Sequence, residues 1–291
     1  MRSLEAESAP EPRRPPAFTT IRPIRPAAPI LFASPHSGRE YPEDMQADLR
    51  VPLIDLRRTE DAFVDELFAD APGLGATLIS AVYARGYVDL NRDSTELDPA
   101  MFADGAPRPA AAGSTRVEAG LGCLPKVAAR GEPIYARRLT RAEGEERLAQ
   151  VHDAYHCQLD RELSALRAST GRAILVDCHS MPSSQPGRRR LDDVVLGDRF
   201  GSSCDNRLTM AAERAFRALG YSVARNTPYA GGYTTRRYGR PQRGLHAIQV
   251  EINRALYMDE SRVVKRNAFD RVRRDIANVC GALIAFAAET A

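Results

Sequence analysis

Short apolar runs alternate with amphipathic stretches along this chain, and that alternation sets the predicted architecture. A strand over Pro29–Ser34 ends at Pro35-His36-Ser37-Gly38. In residues 58–70, Phe63, Val64, Leu67 and Phe68 recur at helical spacing, with Thr59 as the predicted N-cap. Strands are expected at Ala76–Ser80 and Tyr87–Leu90. Arg141–Ala168 reads as a long helix set off by Gly171, and Ala173–Val176 as a buried strand stopping at Asp177-Cys178-His179-Ser180. Further on come a strand at Val194–Leu196, an amphipathic helix at Asn206–Leu219, a strand at Tyr221–Arg225, a loop at 226–243, a strand at Ala247–Ile252 and a C-terminal helix at Ser261–Ala288. Strands alternating with helices predict an α/β fold of three layers, a central mixed, largely parallel sheet with helices on both faces. Residues 1–28, rich in Pro, Glu, Ala and Arg, offer little apolar area to bury. They are expected to form a flexible or loosely docked arm on a single domain spanning 29–291. Residues 93–135 form a long Pro-, Gly- and Ala-rich connection, a length usually associated with function or partial disorder.

Charge and cysteine content narrow the function classes. The 291 residues carry 41 basic and 38 acidic side chains, a net charge of +3 with no concentrated basic face, so no nucleic-acid partner is expected. The run Arg188-Arg189-Arg190 reads as a solvated loop. Five cysteines without a CxxC pair argue against a disulfide framework or a thiolate zinc cluster and for a reducing compartment. No apolar run approaches the roughly 18 residues of a membrane span, and the N-terminus has no apolar signal segment. The expectation is a cytoplasmic monomer or small homo-oligomer acting on a small molecule. Neither GxxxxGK[ST] nor GxGxxG nor GxSxG occurs, which disfavours nucleotide binding and a serine nucleophile elbow.

The informative feature is where the polar residues sit. In open α/β sheets ligands bind beyond the carboxyl ends of the strands. His36, Asn91-Arg92-Asp93, Asp177 with His179, and Glu251-Ile252-Asn253-Arg254 all fall at predicted strand ends. Two histidines and a carboxylate make up the three protein ligands of a catalytic zinc. The carboxylate is sought at Glu60 or Asp61, in the predicted first turn of the 58–70 helix. The alternative is that both histidines are hydrogen-bonded turn residues. His152 and His156 are also four apart on a helix, but residue 153 is Asp and their helix carries a core-like face, so a structural role is expected for them. Glu251 closes an apolar strand, where burial raises a carboxyl pKa toward the range useful for proton transfer; a salt bridge to Arg254 or Arg92 is the alternative. Arg92 and Arg254 suit bidentate carboxylate recognition, unless either is a surface ion pair. Gly231-Gly232, followed by Tyr233 and Thr234, gives a pliable loop able to close over a small substrate, with a plain connecting loop as the alternative. Cys178 beside His179 is a poor nucleophile pair, because adjacent strand residues point to opposite faces.

Five segments together resemble the N-formylglutamate amidohydrolases: Ser34–Arg39, Val88–Asp93, Val176–Pro182, Asn226–Thr234 and Gln249–Met258. The resemblance runs from about residue 25 to the end. A more distant likeness to zinc carboxypeptidases and aspartoacylase-like enzymes lies in the order of a first His, a DLNR segment, a later His and a late Glu; it also implies a phosphorylase/hydrolase-like, zinc-peptidase-like fold. Carried over by position, the resemblance implies His36 and His179 as metal ligands, Asn91 and Arg92 as a carboxylate-binding pair, and Glu251 as general base. In the carboxypeptidases a ligand Glu stands three residues after the first His. Here that position is Arg39, so the third ligand is expected from Asp61, Glu60 or Glu40, with Asp61 preferred.

The reaction this implies is hydrolysis of N-formyl-L-glutamate to formate and glutamate, a step of histidine degradation. It would use one zinc ion or another divalent metal, with Arg85 steadying the oxyanion, and Arg254, Tyr233 and Thr234 as further substrate contacts. The alternatives are another N-acyl amino acid deacylase, a non-catalytic binder of acidic amino acids on the same scaffold, and a metal-independent hydrolase using Cys178.

Overall fold

The computed structural model describes residues 14–26, 28–110, 114–128, 131–185 and 191–290. Its centre is a seven-stranded sheet: β1 (Phe18–Ile21), β2 (Ile30–Ser34), β3 (Thr77–Ala81), β4 (Ala173–Met181), β5 (Val194–Gly197), β6 (Val223–Arg225) and β7 (Leu245–Asn253). The order across the sheet is β1-β3-β2-β4-β7-β5-β6. Pairs β2/β3, β2/β4, β4/β7 and β5/β6 are parallel; β1/β3 and β5/β7 are antiparallel. Short helices α1 (Glu43–Ala47), α2 (Leu53–Arg57) and α3 (Val64–Leu67) join β2 to β3. The crossover from β3 to β4 carries α4 (Thr115–Glu118), α5 (Arg141–Arg147) and α6 (Ala154–Thr170). α7 (Asn206–Ala218) links β5 to β6, α8 (Tyr233–Tyr238) precedes β7, and α9 (Phe269–Glu289) ends the chain.

Strand periodicity assigns the faces. On β4, Ile174, Val176 and Cys178 point into a core shared with α3, α7 and α9. Ala173 and Leu175 point into a second core built with Tyr155, Leu159 and Leu163 of α6. Helices therefore cover both faces, as the alternating pattern predicts. Each fully buried aliphatic or aromatic side chain here contributes roughly 1.5–3 kcal/mol. The odd-numbered row of β4 continues past its apolar residues into Asp177 and His179, and that of β7 runs from Ala247 into Gln249 and Glu251. The polar cluster thus lies at the carboxyl ends of parallel strands, over the α6 side of the sheet.

Several elements depart from the sequence expectation. Tyr87–Leu90 is not a strand: both edges of β3 are taken, by β1 and β2, and the Asp89 amide donates instead to Cys123 O at 2.8 Å. The 58–70 helix is broken, with α2 ending at Arg57 and α3 beginning at Val64. Thr59 closes α2 through its hydroxyl on Leu56 O rather than capping a new helix. β4 runs to Met181 because β7 pairs with it along all nine residues, so His179 lies within the strand instead of beyond it. The arm expected over 1–28 includes β1, where the free edge of β3 recruits Phe18–Ile21. The 226–243 loop contains α8, and the C-terminal helix begins at Phe269, eight residues later than expected. The run 188–190 lies outside the described residues.

Candidate metal centre and active site

His36 follows β2, and His179 sits on β4 two strand positions from Asp177. Asp61 reaches them by a backbone device: its N–H donates to His36 O at 3.0 Å, and Phe63 adopts a left-handed φ of 67° that turns the chain into α3. His36 Nδ1 and His179 Nδ1 both face Asp61 Oδ2, at 3.4 and 2.8 Å. All three side chains are buried, and one donor atom from each lies within 4.8 Å of the others. Of the three carboxylates weighed as third ligand, Asp61 is the one that joins the histidines. Glu60 is instead held by the Tyr41 hydroxyl at 2.6 Å, and Glu40 lies beside Tyr83.

These residues fit a metal. Donors around a tetrahedral zinc at about 2.1 Å stand roughly 3.4 Å apart, a spacing that falls within the range of 2.8 Å to at most 4.8 Å found here. His36 Nδ1 is buried with no hydrogen-bond partner. Asp89 Oδ1 accepts from His36 Nε2 at 2.7 Å, which fixes the ring and leaves Nδ1 as the lone-pair atom. Charge points the same way. Burial opposes ionisation of Asp61 and Asp89, yet the His179 hydrogen bond and the nearness of His36 hold Asp61, and Arg85 and His36 hold Asp89, well below the usual carboxylate range. Burial also disfavours a charged His179, but Asp177 and Asp61 overcome it and lift its pKa well above the ordinary value. Asp61 and Asp177 are therefore placed to hold a positive charge beside them. Asp177 stands 3.1 Å from His179 Nε2 without a well-aligned hydrogen bond, so its hold is mainly electrostatic.

A cavity of about 330 Å³ opens over this group, lined among others by His36, Asp61, Arg85, Asn91, Arg92, His179, Gln249 and Glu251. Glu251 accepts from Gln249 Nε2 at 2.7 Å and is paired with neither Arg254 nor Arg92. Burial pushes its carboxyl up to about 7. Arg85 lines the cavity while donating to Asp89 Oδ2 at 2.8 Å. Asn91 is fixed between the Thr234 amide, which donates to its Oδ1 at 2.8 Å, and His179 Nε2, 3.2 Å from its Nδ2. Gly232 leaves room for this side chain, since a Cβ there would lie 2.4 Å from Asn91 Nδ2.

Three further expected substrate contacts have the following surroundings. Arg254 is buried and committed to Asp61 Oδ1 (2.9 Å), Ser180 Oγ (3.2 Å) and Arg58 O (3.0 Å), so it orients Asp61. Tyr233 lines an adjoining cavity of about 550 Å³. Thr234 is buried behind Asn91 and does not line the smaller cavity. Residue spacing alone did not single out Asp89 or Gln249 for roles, although each lies two residues from a candidate, Asn91 and Glu251. His152 and His156 are not ligands. Their Nε2 atoms contact Arg92 O at 3.0 Å and Leu90 O at 2.9 Å, clamping the peptide on either side of Asn91. His152 lies in a π-helical turn, Leu148–Asp153, a feature frequent at functional sites. Cys178 points into the opposite core, and burial raises its thiol well above the usual pKa, leaving it inert.

Comparison with known proteins bears on this arrangement. A sequence model of the family described as N-formylglutamate amidohydrolase matches residues 28–258. An N-formylglutamate deformylase of Pseudomonas putida is 34% identical over 242 residues, covering 80% of this chain and 83% of the relative. One from Pseudomonas aeruginosa is 34% identical over 238 residues, with the same coverage of 80% and 83%. The crystal structure of an N-formylglutamate amidohydrolase from Ralstonia eutropha JMP134 superposes with a TM-score of 0.89 at 34% identity, over 94% of this chain and 99% of that one.

Proposed function

The chain belongs to the N-formylglutamate amidohydrolase family, and from that premise we propose that it hydrolyses N-formyl-L-glutamate to formate and L-glutamate with one zinc ion held by His36, Asp61 and His179. The observation that carries this reading is the convergence of those three side chains with Glu251 on one cavity. When bound, the zinc supplies Lewis acidity, bringing the pKa of water to about 7 and polarising the formyl carbonyl. The remaining chemistry is the chain's own. Glu251, with Oε1 held by Gln249, takes the water proton and delivers it to the leaving amine. Arg85, at the cavity wall, steadies charge developing on the carbonyl oxygen. Asn91 and Arg92 bind a substrate carboxylate. The order His36, Asn91-Arg92, His179, Glu251 supports a zinc-peptidase-like arrangement. Five free cysteines support a cytoplasmic setting.

The test is metal content measured together with formate release from N-formylglutamate. About one zinc per chain, with activity removed by chelation and restored by zinc, is the expected result. Turnover unaffected by exhaustive chelation defeats the metal reading. Turnover of N-acetyl but not N-formyl amino acids defeats the substrate reading.

A further inference from the structure

The charge pattern around the cavity carries a consequence for substrate choice. Of the three arginines that line it, Arg85 is committed to Asp89, and Arg254, buried behind Asp61, does not reach it. Arg92 is not committed to an acid: its Nε and Nη1 donate only to the carbonyls of Leu121 (3.2 Å) and Asn91 (2.9 Å). Arg116, on α4, lines both the smaller cavity and the adjoining larger one. Its guanidinium makes no ion pair or hydrogen bond among the described residues. The nearby acids are engaged elsewhere, Asp93 and Glu96 standing 3.7 and 3.9 Å from Arg236. The two free guanidiniums share one scaffold, because the Leu121 carbonyl that anchors Arg92 belongs to a residue whose N–H donates to Arg116 O at 2.7 Å. Burial and the Arg92 charge weigh against a charged Arg116, while Glu96 and Asp89 act in the opposite sense. Two cations on one cavity wall, neither in an ion pair among the described residues, favour an anion between them.

We infer that Arg116 determines specificity by binding the side-chain carboxylate of the substrate, while Arg92 binds the α-carboxylate, so that the site selects N-acylated amino dicarboxylates. Arg92 lines the smaller cavity, with His36, Asp61, His179 and Glu251, and not the larger one. Arg116 lines both cavities, so this assignment directs the far end of the substrate toward the larger one. This rests on the functional reading above.

The experiment compares the wild-type protein with Arg116→Gln and Arg116→Lys, each with its metal and a circular-dichroism check of folding. Steady-state kinetics use N-formylglutamate and its neutral isostere N-formylglutamine, and calorimetry measures glutarate binding. For Arg116→Gln, KM for N-formylglutamate rises at least about tenfold with kcat within about threefold. N-formylglutamine turnover stays unchanged, and glutarate binds at least about tenfold more weakly. Arg116→Lys recovers part of each loss. An unchanged preference between the two substrates, or an equal loss on both, overturns the inference. Wild-type protein that does not deformylate N-formylglutamate overturns the functional reading alone if glutarate binding still depends on Arg116, and both readings if it does not.

Discussion

His36 and Asp89 are joined across 2.7 Å, Nε2 to Oδ1, and this contact turns the other ring nitrogen of His36 toward Asp61. Asp89 thus sets which atom of His36 is offered to a metal. Asp89→Asn is expected to weaken zinc affinity about 10–100-fold while His36 stays in place. Competition against a chromophoric chelator measures it, and unchanged affinity removes Asp89 from this role.

Replacing His36, Asp61 or His179 by Ala removes a donor from a three-residue set. Each variant is expected to lose stoichiometric zinc by elemental analysis and formate release together. Full zinc occupancy in Asp61→Ala points the third ligand elsewhere.

Glu251→Gln is expected to lower kcat about 10²–10⁴-fold with KM nearly kept, the size of a general-base contribution. In the wild type, activity falls as pH drops below about 7, where burial places the carboxyl. Stability has the opposite trend. A carboxyl whose folded pKa lies above its unfolded value gives stability that is present below the unfolded pKa and lost as pH rises through about 7. Glu251→Gln therefore gains Tm over the wild type at pH 8 relative to any difference at pH 5. No pH dependence of that difference counts against a raised pKa.

His156 holds Leu90 O at 2.9 Å and the Tyr238 hydroxyl at 2.9 Å in a buried site. His156→Ala leaves a buried carbonyl unsatisfied and is expected to cost about 1–3 kcal/mol of stability. The loosened Asn91-Arg92 peptide also raises KM. Denaturant unfolding and kinetics report the two effects separately, and a neutral result in both removes the clamp.

Gly232→Ala places a Cβ 2.4 Å from the Asn91 side-chain nitrogen. The amide must swing away from His179, so catalytic efficiency falls at least about tenfold with little change in Tm. Wild-type efficiency in this variant means that Asn91 has no part in the reaction.

The period-two and helical patterns alone determined the layered α/β order and the sheet faces. They also determined that Cys178 points away from His179, since strand neighbours alternate and residues two apart share a face. Those rules are local, and any chain in a strand obeys them. The tertiary structure alone decided which carboxylate meets the histidines. Asp61 and His179 are 118 residues apart, and they touch because a broken helix and one left-handed residue carry Asp61 onto the His36 carbonyl. It also decided that Arg254 bonds Asp61 and that two histidines of the long helix grip the Asn91 segment. Those pairings follow from the path of the backbone between distant elements, for which local periodicity has no term.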